Sequence, residues 1–151
     1  MRPIRHIVVG TDFSEIAERA VDHAFDLAAQ LGATITLVHA YELPALAMPD
    51  GVLAPTPDLA QSITDAGQRG LNASLERRKT RGVAIRTMLR MGSPWGELEA
   101  VAVDEDADLI VVGTHGRRGF SRMLLGSVAE RLVRTATHPV LVVHGEGPEK
   151  R

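Results

Sequence analysis

Short β-branched runs alternate with longer stretches of helical period along this chain, and that alternation restricts its fold more than any other feature. Ile4 to Gly10 carries Ile7-Val8-Val9 at its heart, and Thr34 to Tyr41 reads TITLVHAY. Val83 to Met91, Ala107 to Gly113 and Pro139 to Val143 complete a set of five. Apolar runs without in-and-out alternation belong to strands covered on both faces, the habit of parallel sheets. Between the first two runs, Ile16, Ala20, Val21, Ala24, Leu27, Ala28 and Leu31 share one helical face, with Ser14 as cap and Gly32 as stop. Residues 42–58 hold Pro44, Pro49, Pro55, Pro57 and Gly51 and read as a loop. A second helix is predicted from Asp58 to Arg81, weakened by Gly67 and Gly70, with Arg77-Arg78-Lys79 as a solvated last turn suited to the helix dipole. Ser93-Pro94 opens a third helix, and a fourth runs from Ser127 to Ala136. Strand alternating with helix five times predicts an α/β sheet with helices on both faces and right-handed crossovers. Residues 1–151 read as one domain with its own core, and Gly145 to Arg151 as a frayed tail.

Composition excludes several classes of function. There is no cysteine, so disulfides, thiolate metal sites and cysteine nucleophiles are out, and a reducing cytoplasm fits. A formal charge of −2 lacks the basic footprint that nucleic-acid binding needs, and three Phe, one Tyr and one Trp leave little for base stacking. No apolar run is long enough to span a membrane, and no apolar segment of secretory-signal type follows Met1-Arg2-Pro3-Ile4-Arg5.

In doubly wound sheets ligands bind beyond the carboxyl ends of the strands, where the strand order reverses. Two segments fall under that rule: Gly10-Thr11-Asp12 after the first strand and Gly113-Thr114-His115-Gly116 after the fourth. The second continues through nine residues to Gly126-Ser127 at the start of a helix. Strand, glycine-bearing loop and helix start present backbone N–H groups to phosphate. Glycine allows close backbone approach and positive φ, and Arg117, Arg118 and Arg122 add positive charge. The spacing is neither a Walker A sequence nor a dinucleotide fingerprint. Turn punctuation alone is the competing reading of these glycines. Asp12 has two readings as well, a ribose or Mg²⁺ contact through water and a helix-capping turn residue. His115 is open between a phosphate contact and a solvated loop residue. His6, His23, His39, His138 and His144 lack the spacing of metal ligands.

Gly113-x2-Gly116-x9-Gly126-Ser127, followed by a helix and Pro139-Val140-Leu141-Val142-Val143, resembles the ATP-binding branch of the universal stress protein family. Ile7-Val8-Val9-Gly10-Thr11-Asp12-Phe13-Ser14, Leu37-Val38-His39-Ala40 and Gly92-Ser93-Pro94 agree in order along nearly the whole chain. The resemblance implies a single-domain, three-layer sandwich of the adenine nucleotide alpha hydrolase-like kind, its five parallel strands in the order 3-2-1-4-5. It implies ATP, with Mg²⁺ where Asp12 takes part, as the bound nucleotide. Thr11 and Asp12 would then lie against adenine and ribose, and Ala40 would give a backbone contact to the adenine edge. Val112 and Gly113 would border the ribose, and Gly116, Gly126, Ser127 and Val128 would hold phosphates. Ala129 departs from relatives that carry a hydroxyl there.

The same resemblance implies a homodimer through the last strand, Val140 to Val143, an apolar run at a sheet edge. It implies a nucleotide-dependent stress-response regulator in the cytoplasm, with no nucleic-acid or membrane partner. No Gly-x-Ser-x-Gly elbow supports a hydrolytic triad, so turnover of ATP is expected to be slow and incidental. Two rivals stand beside this reading: a structural or protein-interaction member with a vestigial loop, and a true ATPase or nucleotidyl transferase. Gly126→Val is expected to abolish ATP binding while folding survives.

Overall fold

The computed structural model describes residues 2–115 and 125–145. Five strands, β1 (His6–Gly10), β2 (Thr34–Tyr41), β5 (Ile85–Met91), β6 (Leu109–Gly113) and β7 (Val140–Val143), form one sheet in the order β5-β2-β1-β6-β7. Every neighbouring pair in it is parallel. This is the order 3-2-1-4-5 of the five apolar runs. Helices α1 (Glu15–Leu31) and α2 (Pro57–Glu76) cover one face, and α3 (Pro94–Asp104) and α4 (Ser127–Thr135) cover the other. The period-2 alternation of each strand therefore divides the core in two. Ile7, Val9, Ile35, Leu37 and Val111 pack with Phe25 and Leu71 on one side. Val8, Val38, Ile110 and Val112 pack with Leu98, Val101 and Leu132 on the other. No helix among the described residues is long and apolar enough to cross a membrane.

The helix ends follow the capping residues. The Ser14 hydroxyl accepts the Ala17 N–H at 3.2 Å, and Gly32 closes α1 at φ 67°. Leu31 departs from its expected place: it is 48% exposed at the last turn of α1, and Phe25 fills the core instead. Three further differences concern the second half of the β2–α2 connection and α2 itself. Residues 42–58 are not all loop, because β3 (Leu46–Met48) and β4 (Gly51–Leu53) pair antiparallel around a two-residue Pro49-Asp50 turn. The helix starts at Pro57, one residue earlier than expected, capped by Thr56, whose hydroxyl accepts the Leu59 N–H. It ends at Glu76, and a short 3₁₀ turn (Lys79–Arg81) follows.

The largest difference is electrostatic. Arg78 is not part of a solvated turn; it is only 4% exposed. Its Nη1 donates to Glu18 Oε2 at 2.7 Å and to the Ser74 hydroxyl at 2.8 Å, and its Nε donates to Asp22 Oδ1 at 2.8 Å. A buried guanidinium is tolerable only when its donors are answered, and α1 supplies the carboxylates.

Candidate functional site

The chain runs from β1 outward to β2 and β5, then crosses back to β6 and β7. The reversal lies between β1 and β6, whose carboxyl ends part to leave a cleft of about 470 Å³. Thr11, Asp12, Ala40, Val112, Gly113, Gly126, Ser127 and Val128 all line it. Eight of the nine residues singled out from the sequence are thus brought together. The ninth, Gly116, lies outside the described residues, as do Arg117, Arg118 and Arg122. Val38 and Leu98 supply an apolar wall, and Asp12 is the one carboxylate among the described lining residues. No group of three or more His, Asp or Glu suited to a metal occurs among the described residues.

On the β6 side, the geometry gives the glycines a different reason from positive φ. Gly126 caps α4 at φ −63° and ψ 156°, a conformation open to any residue. Its N–H donates to the Thr114 carbonyl at 2.5 Å, and a Cβ built there would stand 2.7 Å from that oxygen and 3.1 Å from His115 Cα. Gly126 therefore lets the start of α4 close against the end of β6. Gly126→Val would push this backbone apart, so it disturbs the turn as well as any phosphate approach. Gly113 serves α1 in the same way, since a Cβ would meet Ile16 Cγ2 at 2.9 Å. Close packing and ligand access are here properties of the same glycines.

The first N–H groups of a helix have no intrahelical acceptor. With the Gly126 N–H spent on Thr114, those of Ser127, Val128 and Ala129 remain without a partner among the described residues. They stand at the positive end of α4 and line the cleft. Ser127 is exposed, so its hydroxyl is available beside them. Ala129 is 1% exposed within the core, which leaves its N–H as the group it can offer.

On the β1 side, the loop of residues 11–14 is held from within. The Asp12 carboxylate accepts the Ser14 N–H at 3.0 Å, so the turn-residue reading of Asp12 holds alongside its place in the cleft. Thr11 donates its N–H to the Val38 carbonyl and accepts His39 Nδ1–H at its own carbonyl, at 2.9 and 2.8 Å. His39 thus has a structural partner. His115 lies at the edge of the cleft with Nδ1 3.1 Å from the Thr114 hydroxyl.

Two features escaped sequence reasoning. Beyond Ser127 and Val128 a shallow groove continues past Trp95, Arg131 and Arg134, with the Arg131 guanidinium 4.7 Å from the centre of the Trp95 ring. The spacing of Ser127 and Arg131, one helical turn, was the available signal. The second is Glu18, whose link to Thr11 no spacing in the sequence reveals. Burial pushes the Glu18 carboxyl up, but hydrogen bonds from Arg77 and Arg78 outweigh it and hold the group below its ordinary value.

A parallel sheet of this order, with its cleft at the switch point and open helix N–H groups inside, defines a doubly wound α/β protein with its ligand face at the carboxyl edge. The model of the universal stress protein family matches residues 3–144, and the chain belongs to that family. It is 34% identical over 140 residues to universal stress protein MJ0531 of Methanocaldococcus jannaschii, covering 92% of this chain and 81% of that one. Universal stress protein MJ0577 of the same organism is 28% identical over 152 residues, with coverage of 92% and 94%. Among solved structures, a universal stress protein in complex with cAMP superposes at a TM-score of 0.71 and 30% identity, covering 96% of this chain and all of that one.

Proposed function

We propose that this chain is an ATP-binding universal stress protein, a nucleotide-dependent regulator that holds ATP and does not turn it over at a useful rate. The observation that carries this reading is the set of N–H groups at Ser127, Val128 and Ala129, which have no partner among the described residues and face a cleft whose other walls suit an adenosine. A relative at 30% identity described with cAMP supports an adenine nucleotide in this fold. Thr11, Asp12 and Ala40 take the adenosine end, Val112 and Gly113 the ribose border, and Gly126, Ser127 and Val128 the phosphates. Magnesium would enter with the triphosphate, its ligands phosphate oxygens and water, with Asp12 the one described carboxylate at hand. It would there neutralise phosphate charge.

Calorimetry of the protein with ATP and Mg²⁺ tests this directly, and absence of heat would sink the reading. Ser127→Ala is expected to weaken ATP about tenfold, the worth of one hydrogen bond to a charged oxygen. Phosphate release at a rate typical of enzymes would replace the holder with an ATPase. We also propose a homodimer through the free edge of β7. Leu141, at 36% exposure, is the residue to challenge, whereas Val143 is 7% exposed and belongs to the protein's own core. Leu141→Glu is expected to reduce the mass in light scattering to that of one chain; an unchanged dimer would refute edge pairing.

A further inference from the structure

Every polar group of Thr11 is committed inside the protein. Beside the two backbone bonds, its hydroxyl donates to Glu18 Oε1 at 3.1 Å and accepts the Phe13 N–H at 3.0 Å. A ligand therefore feels Thr11 mainly through where Thr11 places Asp12. The next residue is strained: Phe13 stands at φ 65°, a left-handed conformation that side chains with a Cβ rarely adopt. Its ring lies 4.4 Å from the His39 ring and against Gly70 of α2, where any Cβ would collide with it. The strain is thus held in place by β2 and α2, which flank the loop.

Glu18 joins that loop to the end of α2. Its Oε2 accepts Arg77 Nη2 at 2.6 Å and Arg78 Nη1 at 2.7 Å, and the Ser74 hydroxyl donates to it at 3.1 Å. Arg78 is fixed further by Asp22 and by bonds to the carbonyls of Glu18 and Ser74, both at 3.1 Å. Buried ion pairs contribute little net stability compared with apolar packing of the same volume. What this one does supply is orientation: a rigid fork held by Asp22, Ser74 and the Glu18 carbonyl brings Nη1 to the Glu18 carboxylate, and that carboxylate takes the Thr11 hydroxyl.

We infer that Arg78, acting through Glu18 and the Thr11 hydroxyl, is a positioning residue that sets the β1–α1 loop for recognition of the ribose. The inference rests on the nucleotide reading above. It separates the two ends of the ligand: α4 holds phosphate independently of this chain of contacts, whereas Asp12 depends on it.

The experiment is calorimetry on the full chain with three probes: ATP, 2′-deoxy-ATP and inorganic tripolyphosphate. The wild type is expected to prefer ATP to the deoxy compound. Arg78→Met is expected to weaken ATP roughly tenfold, as for loss of a hydrogen bond at the ribose, and to erase that preference. Tripolyphosphate should bind as before, which a general loss of structure would not allow. Thr11→Val severs the same link without leaving a buried charge and is expected to give the same pattern even where Arg78→Met fails to fold. Thr11→Ser keeps the hydroxyl and should restore the preference. An unchanged ratio of ATP to deoxy-ATP in Thr11→Val, a parallel loss of tripolyphosphate, or a wild type without the preference overturns the inference. A wild type that binds no ATP overturns instead the reading on which it rests.

Discussion

The two ends of the sheet treat polar groups in opposite ways. At the amino end they answer one another. Asp108, its side chain 4% exposed, accepts the N–H groups of Arg5 and His6 at 2.8 and 3.0 Å and has Arg2 Nε 2.8 Å away. His6 bridges the Glu105 carbonyl and the Thr36 hydroxyl, and Arg86 pairs with Glu105. At the carboxyl end, three N–H groups at the start of α4 have no partner among the described residues, beside an exposed serine. At the amino end each of these charges has a partner within the chain, although Asp108 Oδ1 and Glu105 Oε2 are met by an arginine charge and not by a hydrogen bond, so folding accounts for them. Donors without a described partner at a helix N-terminus beside a cleft are placed as an anion site would need them.

The sharpest way to break this contrast is to remove a group from each end and read both stability and binding. Asp108→Ala strips two backbone donors of their acceptor and an arginine of a charge partner at a buried site. Unfolding by urea is expected to show a loss of about 3 kcal/mol, the cost of opening a buried network. Its affinity for ATP should match the wild type, since the cleft lies at the far end of the strands. Ser127→Ala should do the reverse, weakening ATP while leaving stability within about 0.5 kcal/mol, as for an exposed substitution. If Asp108→Ala lost affinity as well, the two ends would not be independent.

The five strands were legible because each is an apolar run with no polar alternation, and a parallel sheet buried on both sides leaves that trace. The candidate site was legible for a related reason: Gly10 and Gly113 end the two strands that flank the reversal of strand order. What was hidden depends on partners distant in sequence. Arg78 reads locally as one of three cations on a helix end, and only Glu18 and Asp22, sixty and fifty-six positions away, make it a buried anchor. Pro49-Asp50 sits among prolines that read as a loop, yet the flanking Leu46 and Leu53 pair across a short hairpin. Gly126 lines the cleft, but the nearness of the Thr114 oxygen that requires a glycine there cannot be read from spacing. Local periodicity reports which face is apolar; it does not report which charge will be met.

The smallest expected effect belongs to His6, and it tests whether the amino end is as closed as it looks. The Glu105 carbonyl can only accept, so His6 carries its proton on Nδ1, and Nε2 takes the Thr36 hydroxyl proton. Burial, and then the nearby Arg86 charge, hold the His6 pKa below its ordinary 6.5, against a pull upward from Asp108 and Asp106. The unfolded chain then binds more protons than the folded one just below pH 6.5, so stability is full above that value and declines as pH falls through it. The carboxylates with depressed values, Glu18, Glu99, Asp106 and Asp108, act in the same direction but only below their ordinary 4.5 and 3.8. Urea midpoints between about pH 7.5 and 5.5 therefore isolate the histidine from the acidic groups. The wild type is expected to lose a little stability across that interval, and His6→Gln to flatten the slope. A slope that persists in His6→Gln would assign the titration near neutral pH to another group.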